Sequence, residues 1–146
     1  MSRTSEPGVL EHSVTKAREW IDETGVELGT DDHRAAYRAL KAVLHAVRDR
    51  ITVNEAAQLA AQLPELIRGV YYENWVPSRV PETYRDRSEF LRRITRDARL
   101  TGQTEASYAA VAVITVLSRH VSAGEIEDVM SGLPAELRDL LEPAVR

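Results

Sequence analysis

The chain has 146 residues, of which 43% are hydrophobic and 29% are charged, and its formal net charge at pH 7 is -4. This length and composition are those of one folded domain, which at this size buries a core without a metal or a disulfide. The absence of cysteine excludes disulfide frameworks, thiolate metal sites and cysteine nucleophiles. The negative charge argues against a nucleic-acid partner. We expect no cofactor.

Targeting signals are weak throughout the sequence. The first ten residues are polar, and no apolar segment of the signal-peptide type follows them. The longest apolar stretch, residues 109–117, has nine residues, about half of what a membrane-spanning helix needs. We therefore expect a cytoplasmic protein with no membrane contact. Seventeen arginines against two lysines, together with 18 alanines, indicate GC-rich codons and so a bacterial source.

The first two predicted helices follow from apolar periodicity and from their caps. Residues 13–24 place Trp20 and other apolar side chains on one face, and we expect this helix to end at Gly25. Asp31 or Asp32 can then cap a second helix, because aspartate accepts hydrogen bonds from the free amides of a first helical turn. The apolar positions of this helix recur every three or four residues: Tyr37, Leu40, Leu44, Val47 and Ile51.

Two short helices and one arginine-rich helix come next. Thr52 and Glu55 form the capping box of a third helix, and Pro64 opens a fourth, since proline fits a first helical turn. The expected core residues of the fourth helix are Leu66, Ile67 and Val70. Residues 86–99 predict a fifth helix that ends near Gly102. No segment has the alternating pattern of a strand.

The sequence then repeats itself at an offset of 70 residues. A capping box and a leucine-proline pair each occur twice in this register: Thr52 to Glu55 with Ser122 to Glu125, and Leu63-Pro64 with Leu133-Pro134. Residues 36–71 and 106–141 share eight identical positions without a gap. We therefore predict an all-α fold of about eight helices in two tandem, pseudo-equivalent four-helix units. The units cover about residues 12–73 and 86–142, and residues 74–85 form the junction between them.

Three segments carry a resemblance to a known family: AVLHAVRDRITVNEAAQLAAQLPELIRGVYYENW at 42–75, SEFL at 88–91 and HVSAGEIEDVMSGLP at 120–134. Their AAQLP and YYE-x-W elements are the most specific. Over residues 12–142 the chain resembles the bacterial domain-of-unknown-function family 2267 (DUF2267). The resemblance implies an all-helical bacterial protein and brings no catalytic or binding residue. Asn74 stands where the family often has glycine, and asparagine tolerates the left-handed backbone that such a glycine indicates.

The first candidate binding residues lie in an aromatic segment, YYENWVPSRVPETY at residues 71–84, which holds four of the eight aromatic residues. These four, namely Tyr71, Tyr72, Trp75 and Tyr84, could line a groove for a partner, because tyrosine and tryptophan give rigid contact area with a polar end. Alternatively, the segment seals the contact between the two units. In that case Trp75 is buried and the tip of Tyr72 is at least partly exposed.

The second candidate is the arginine-rich stretch, residues 79–99, with seven arginines and four acidic residues. On one helix, Arg92, Arg96 and Arg99 share a face, as guanidinium groups must in order to hold a phosphate or an acidic partner. The alternative is a solvated face of ion pairs within the helix. No glycine-rich phosphate loop accompanies the arginines.

The four histidines suggest little chemistry. His45 and Asp49 are four residues apart on one helical face, with Glu55 nearby, so that a metal site or an acid-base pair is conceivable. However, no H-E-x-x-H motif or paired Glu-x-x-His motif is present. We therefore predict neither a catalytic residue nor a metal ligand.

Two functions remain open from the sequence. The first is a non-enzymatic, cytoplasmic helical module that binds an unidentified protein partner or mediates self-association through the aromatic segment and the neighbouring arginines. The alternative is a small-molecule or anion-binding protein, conceivably an enzyme, with its site in the seam between the two units. A seam pocket with convergent polar groups and an ordered ligand would favour the alternative, and a dry, fully packed seam would favour the module.

Overall fold

The computed structural model describes residues 5–146. Over this range the chain forms eight α-helices, one short 3-10 helix and no strand, which confirms the all-α prediction. The helices are α1 (Ser5–Leu28), α2 (His33–Arg48), α3 (Val53–Ala60), α4 (Glu65–Tyr72), α5 (Arg87–Asp97), α6 (Gln103–His120), α7 (Ala123–Gly132) and α8 (Ala135–Val145), with the 3-10 helix at Pro77–Arg79. None of these eight is both long and apolar enough to cross a membrane.

The centre of the molecule is made by α2 and α6, which pack against each other. Each has eight buried apolar residues, and these occupy the same positions 70 residues apart. In α2 they are Ala36, Ala39, Leu40, Ala42, Val43, Leu44, Ala46 and Val47. An apolar face this wide must be covered by several neighbouring helices.

The covering helices cross from one half of the chain to the other. Helix α1 packs on both α2 and α6, and α5 also packs on both. Helix α4 lies on α2, α8 lies on α6, and α3 contacts α7. Buried apolar residues from all eight helices belong to a single core cluster. The two predicted units therefore share one core.

The first helix extends a full turn beyond the predicted stop at Gly25. It ends instead at Gly29, whose φ of 74° is left-handed, and the amide of Thr30 donates to the carbonyl of Gly25 at 2.9 Å. This is a Schellman motif, which satisfies the last carbonyls of a helix. Gly25 is needed for a different reason, since a Cβ there would lie 2.9 Å from the carbonyl oxygen of Thr30. The prediction that α1 ends at Gly25 was therefore wrong. Gly25 lies inside the helix, where the absence of a side chain lets the carbonyl oxygen of Thr30 come close.

For the other helices, the capping residues predicted the boundaries more closely than the spacing of apolar residues did. Pro64 and Pro134 are the N-cap residues that immediately precede α4 and α8. The side chain of Asp86 caps α5, but that helix ends at Asp97 rather than at Arg99. The amide of Leu100 donates to the carbonyl of Thr95 at 2.9 Å, and Arg99 has a φ of 58°. The prediction that Arg99 shares a helical face with Arg92 and Arg96 is therefore wrong.

The two capping boxes are completed differently. At Thr52 both bonds are present, including the backbone amide of Thr52 to the carboxylate of Glu55 at 3.1 Å. At Ser122 the amide instead donates to the side chain of Gln62, at 2.7 Å. Gln62 lies in the turn that follows α3 and replaces Glu125 as the acceptor. Only half of the second predicted box therefore forms.

Candidate functional site

Tyr71 lies in the core. Its side chain is 0% exposed, and its hydroxyl donates to the carbonyl of Ala56 at 2.9 Å. Burial raises the pKa of this hydroxyl well above its usual value. The side chain therefore offers no surface to a partner.

Tyr72 and Trp75 pack together at the surface of the core. Their ring centroids are 5.1 Å apart, and both side chains are partly buried. The predicted partial exposure of Tyr72 agrees with this placement, whereas Trp75 is only partly buried. The indole nitrogen of Trp75 is itself buried and has no hydrogen-bond partner among the described residues.

Tyr84 is held between two arginines. The guanidinium carbons of Arg50 and Arg93 lie 5.7 and 5.6 Å from the centroid of its ring, within the range of cation-π attraction. Arg50 also donates through Nε to the backbone carbonyl of Tyr84 at 2.7 Å. Burial raises the pKa of the Tyr84 hydroxyl to about 12. These contacts attach the end of the aromatic segment to the body of the protein.

The arginines of α5 are largely engaged with nearby carboxylates. Arg92 pairs with Glu89, and the Nε of Arg96 lies 2.9 Å from Asp97. This is the arrangement that the alternative of a solvated helix face predicts. Arg93, which the sequence did not single out, turns inward and contacts Glu82 at 3.1 Å.

A polar cleft opens where α2 meets the ends of α4 and α5. We call it the seam cleft, because α2 and α4 belong to the first predicted unit and α5 to the second. It has a volume of about 340 Å³. Its lining residues are Tyr37, Arg38, Lys41, Ala42, His45, Asn74, Asp97 and Arg99. Of the residues predicted to bind, only Arg99 lines it.

Two lining residues have a left-handed backbone. Asn74 has a φ of 61° and Arg99 a φ of 58°, and in the described part of the chain no other residue except glycine has a positive φ. The backbone of Asn74 is in the left-handed conformation that asparagine tolerates. Left-handed backbone is uncommon outside glycine, asparagine and aspartate, so Arg99 is the more unusual of the two.

Two of the cations in the seam cleft carry no compensating carboxylate. Lys41 contacts Glu73 at 2.7 Å, and this hydrogen bond raises the pKa of Lys41 and lowers that of Glu73. Arg38 donates through Nε to the carbonyl of Ala98 at 3.4 Å. Among the described residues neither Arg38 nor Arg99 has a carboxylate within ion-pair distance. Their guanidinium groups can therefore accept an external anion.

His45 does not form the conceivable pair with Asp49. Its Nε2 donates to the carbonyl of Val70 at 2.7 Å, and burial lowers its pKa, so that the ring is neutral at pH 7. Asp49 is held instead by Arg48, whose Nε lies 2.8 Å from its carboxylate. Between residues 5 and 146, no three His, Cys, Asp or Glu side chains are grouped as a metal site would need.

Sequence reasoning missed most of the seam cleft. Tyr37 has the spacing of a core residue, yet it is half-buried and lines the cleft. Arg38 and Lys41 follow it on α2 as ordinary charged residues of a helix. Their assembly with Asn74 and Arg99 depends on how three distant segments pack. The only local signal was Asn74, because its position in the family often has glycine.

The fold and the cleft define a class: a small all-α protein whose two halves share one core and meet at a basic, polar cleft. The family model described as an uncharacterized conserved protein, DUF2267, matches residues 17–140, and the chain belongs to this family. A comparison with curated proteins finds no match.

Proposed function

We propose that this protein binds a small anion in the seam cleft. The observation that carries the proposal is Arg99, which presents a guanidinium without a carboxylate partner from a left-handed position at the cleft. This is the alternative function that the sequence left open. The polar groups that converge on the seam favour it.

The backbone of Arg99 supports a role beyond packing. The position that follows a helix in a Schellman motif is usually glycine, because a side chain there costs roughly 1–2 kcal/mol. An arginine at this position lowers the stability of the fold by about that amount, but it places charged hydrogen-bond donors at the cleft. Arg38 brings a second guanidinium to the same cleft, and paired guanidinium groups match the oxygens of carboxylates and phosphates.

The interaction module remains a second proposal, with narrower support. Tyr71 is buried, and the partly exposed Tyr84 is held by Arg50 and Arg93, which leaves Tyr72 and Trp75 as the partly exposed aromatic residues without such contacts to arginine. A protein partner or a second copy of the chain would have to use these two side chains. The bacterial source and the cytoplasmic location rest on the sequence alone.

We also propose that the fold arose by internal duplication of a four-helix unit. Helices α2, α3 and α4 begin at His33, Val53 and Glu65, and α6, α7 and α8 begin exactly 70 residues later. The packing of α1 on α2 and α6 corresponds to that of α5 on α6 and α2. Superposition of residues 36–71 on 106–141 tests the proposal, and a mismatch in helix order or direction would contradict it.

Titration with inorganic phosphate at low ionic strength, followed by calorimetry, tests the anion site. We expect saturable binding that weakens by about tenfold or more in Arg38→Gln and in Arg99→Gln, since a hydrogen bond to a charged group contributes about 1.5–3 kcal/mol. Arg92→Gln is the matched control, because it removes the same charge from an exposed residue of α5 that does not line the cleft. The proposal fails if phosphate does not bind, or if Arg92→Gln weakens binding equally.

A further inference from the structure

A second cleft adjoins the seam cleft on the side of α1. This outer cleft lies between α1 and the start of α2 and has a volume of about 590 Å³. Its lining residues are Arg18, Ile21, Asp22, His33, Arg34, Tyr37 and Arg38. Tyr37 and Arg38 line both clefts, so the two clefts lie side by side on the surface.

The outer cleft has an apolar wall. Ile21 is partly buried against the core, and Tyr37 is partly exposed. The carbon stems of arginine side chains also give apolar surface while their charged ends stay in water. Asp22 is engaged with His33, whose Nε2 lies 3.4 Å from its carboxylate. An apolar group in this cleft therefore meets Ile21 and the ring of Tyr37.

The two clefts differ in the character of their surfaces, because the seam cleft is mostly polar and the outer cleft mostly apolar. Arg18 and Arg34 of the outer cleft also have no carboxylate within ion-pair distance among the described residues. In the seam cleft, Lys41 is paired with Glu73 and Asp97 with Arg96, which leaves the guanidinium groups of Arg38 and Arg99. Two uncompensated cations match a dianion better than a monoanion. A phosphate monoester carries close to two negative charges at neutral pH.

The following inference rests on the anion site proposed above. We infer that the ligand is an organic phosphate monoester, with its phosphate between Arg38 and Arg99 in the seam cleft and its apolar body against Ile21 and Tyr37 in the outer cleft. The combined clefts fall in the size range of small-molecule sites. The shared residues serve both parts of the ligand, since Arg38 binds the phosphate while Tyr37 contacts the apolar body.

Methyl phosphate and phenyl phosphate provide a matched pair of probes, because they carry the same anionic group and differ in the apolar body. Calorimetry should show phenyl phosphate binding at least about tenfold tighter, as expected for burial of part of a phenyl ring. Tyr37→Ala should reduce this preference to about twofold or less. Tyr108→Ala, at a 70% exposed tyrosine of α6, is the control and should leave it unchanged.

Methyl NMR of the wild-type protein gives a second readout that does not depend on a variant. With isoleucine methyl groups labelled, phenyl phosphate should shift the signal of Ile21 through the ring current, and methyl phosphate should not. The isoleucines of the core are internal references, for example Ile94 and Ile114, which are 0% and 3% exposed.

The outcomes separate this inference from the anion site. If both esters bind with equal affinity and Arg99→Gln weakens both, the anion site stands and the apolar subsite is overturned. If phenyl phosphate binds tighter but the Ile21 signal does not move, its ring lies elsewhere and the inference is also overturned. If inorganic phosphate binds and neither ester does, the anion site stands and this inference fails, and if none of the three binds, both proposals fail.

Discussion

Arg99 combines an unfavourable backbone conformation with an exposed charge, and the two properties can be separated by substitution. Arg99→Gly removes the Cβ that makes a left-handed backbone costly, so we expect stability to rise by about 1 kcal/mol. The same change removes a guanidinium from the seam cleft and should weaken phosphate binding by about tenfold or more. Urea unfolding and calorimetry measure the two effects.

Arg99→Ala is the matched control, because alanine keeps the Cβ and removes the charge. We expect its stability to stay within about 0.5 kcal/mol of wild type while phosphate binding falls as in the glycine variant. Loss of stability in Arg99→Gly would show that the arginine side chain holds the end of α5 in place.

Glu125 is a buried carboxyl without compensation. It is 7% exposed, and its Oε2 has no hydrogen-bond partner among the described residues. Burial raises its pKa, and Asp128 and Glu55 add to the shift. A raised pKa means that the folded state binds the proton more tightly than the unfolded state. Stability from this residue is therefore complete below the unfolded-state pKa and is lost as pH rises through the folded-state pKa.

Glu125→Gln should accordingly stabilise the protein at about pH 7, where the wild-type residue is a buried anion. The difference in stability should shrink as the pH falls through the unfolded-state pKa of glutamate, about 4.3, because the glutamate then becomes protonated in both states. Thermal unfolding of both proteins across this range measures it. Glu127→Gln, at an exposed position of the same helix, is the control and should show neither effect. A loss of stability at neutral pH in Glu125→Gln would mean that the carboxylate has a cationic partner.

Single residues show where sequence reasoning reaches its limit. The left-handed turn at Asn74 was foreseeable, because few residue types tolerate that backbone and asparagine is one. The role of Tyr37 was not, because core tyrosines and cleft tyrosines have the same helical spacing. The second capping box also misled, because the acceptor at Ser122 comes from Gln62, 60 residues earlier in the chain.

At the scale of the helices, the C-terminal end of α4 depends on one buried arginine. Arg48 is 2% exposed, and its Nη1 donates to the carbonyls of Tyr71 and Glu73 at 2.6 and 2.8 Å. Arg48→Met leaves these carbonyls and the carboxylate of Asp49 without their donor, and we expect a loss of about 3 kcal/mol in the free energy of unfolding.

Urea unfolding checks this expectation, with Arg92→Met as the control at an exposed position of α5. Arg48→Lys should lie between wild type and methionine, because lysine keeps the charge but not the two-pronged geometry. A methionine variant as stable as wild type would show that water satisfies the end of α4.

Helix starts with a capping residue were easier to predict than helix ends, but α1 begins at Ser5 rather than at the predicted residue 13. The caps at Asp32 and Thr52 were predicted from the capping residue itself, and the structure has both. Asp86, predicted as the first residue of the fifth helix, is instead the cap of α5. The ends of α1 and α5 depend on where a left-handed residue closes the last turn. At α5 that residue is an arginine, which gives no local signal.

At the scale of the whole molecule, both halves of the chain share one hydrophobic core. We therefore expect that neither half folds alone. Separate fragments covering residues 1–73 and 86–146 would each leave one central helix uncovered, since α1 and α5 each pack on both α2 and α6. We expect neither fragment to unfold cooperatively as a monomer, because the apolar face of α2 or α6 loses a covering helix and a chain of about 60–70 residues is only marginally stable. Circular dichroism during heating, with analytical ultracentrifugation, measures this. A fragment that melts cooperatively as a monomer would contradict the shared core.

The crossing of α1 onto α6 also affects how the protein is made. Four helices separate these two in the chain, so their contact is far less local than those in a bundle of sequential hairpins, and helical proteins with distant contacts fold more slowly. On the ribosome, α2 emerges long before α6. Because synthesis adds roughly 5–20 residues per second, the apolar face of α2 stays uncovered for several seconds before α6 is made. During that interval the nascent first half exposes the surface that chaperones bind and that drives aggregation.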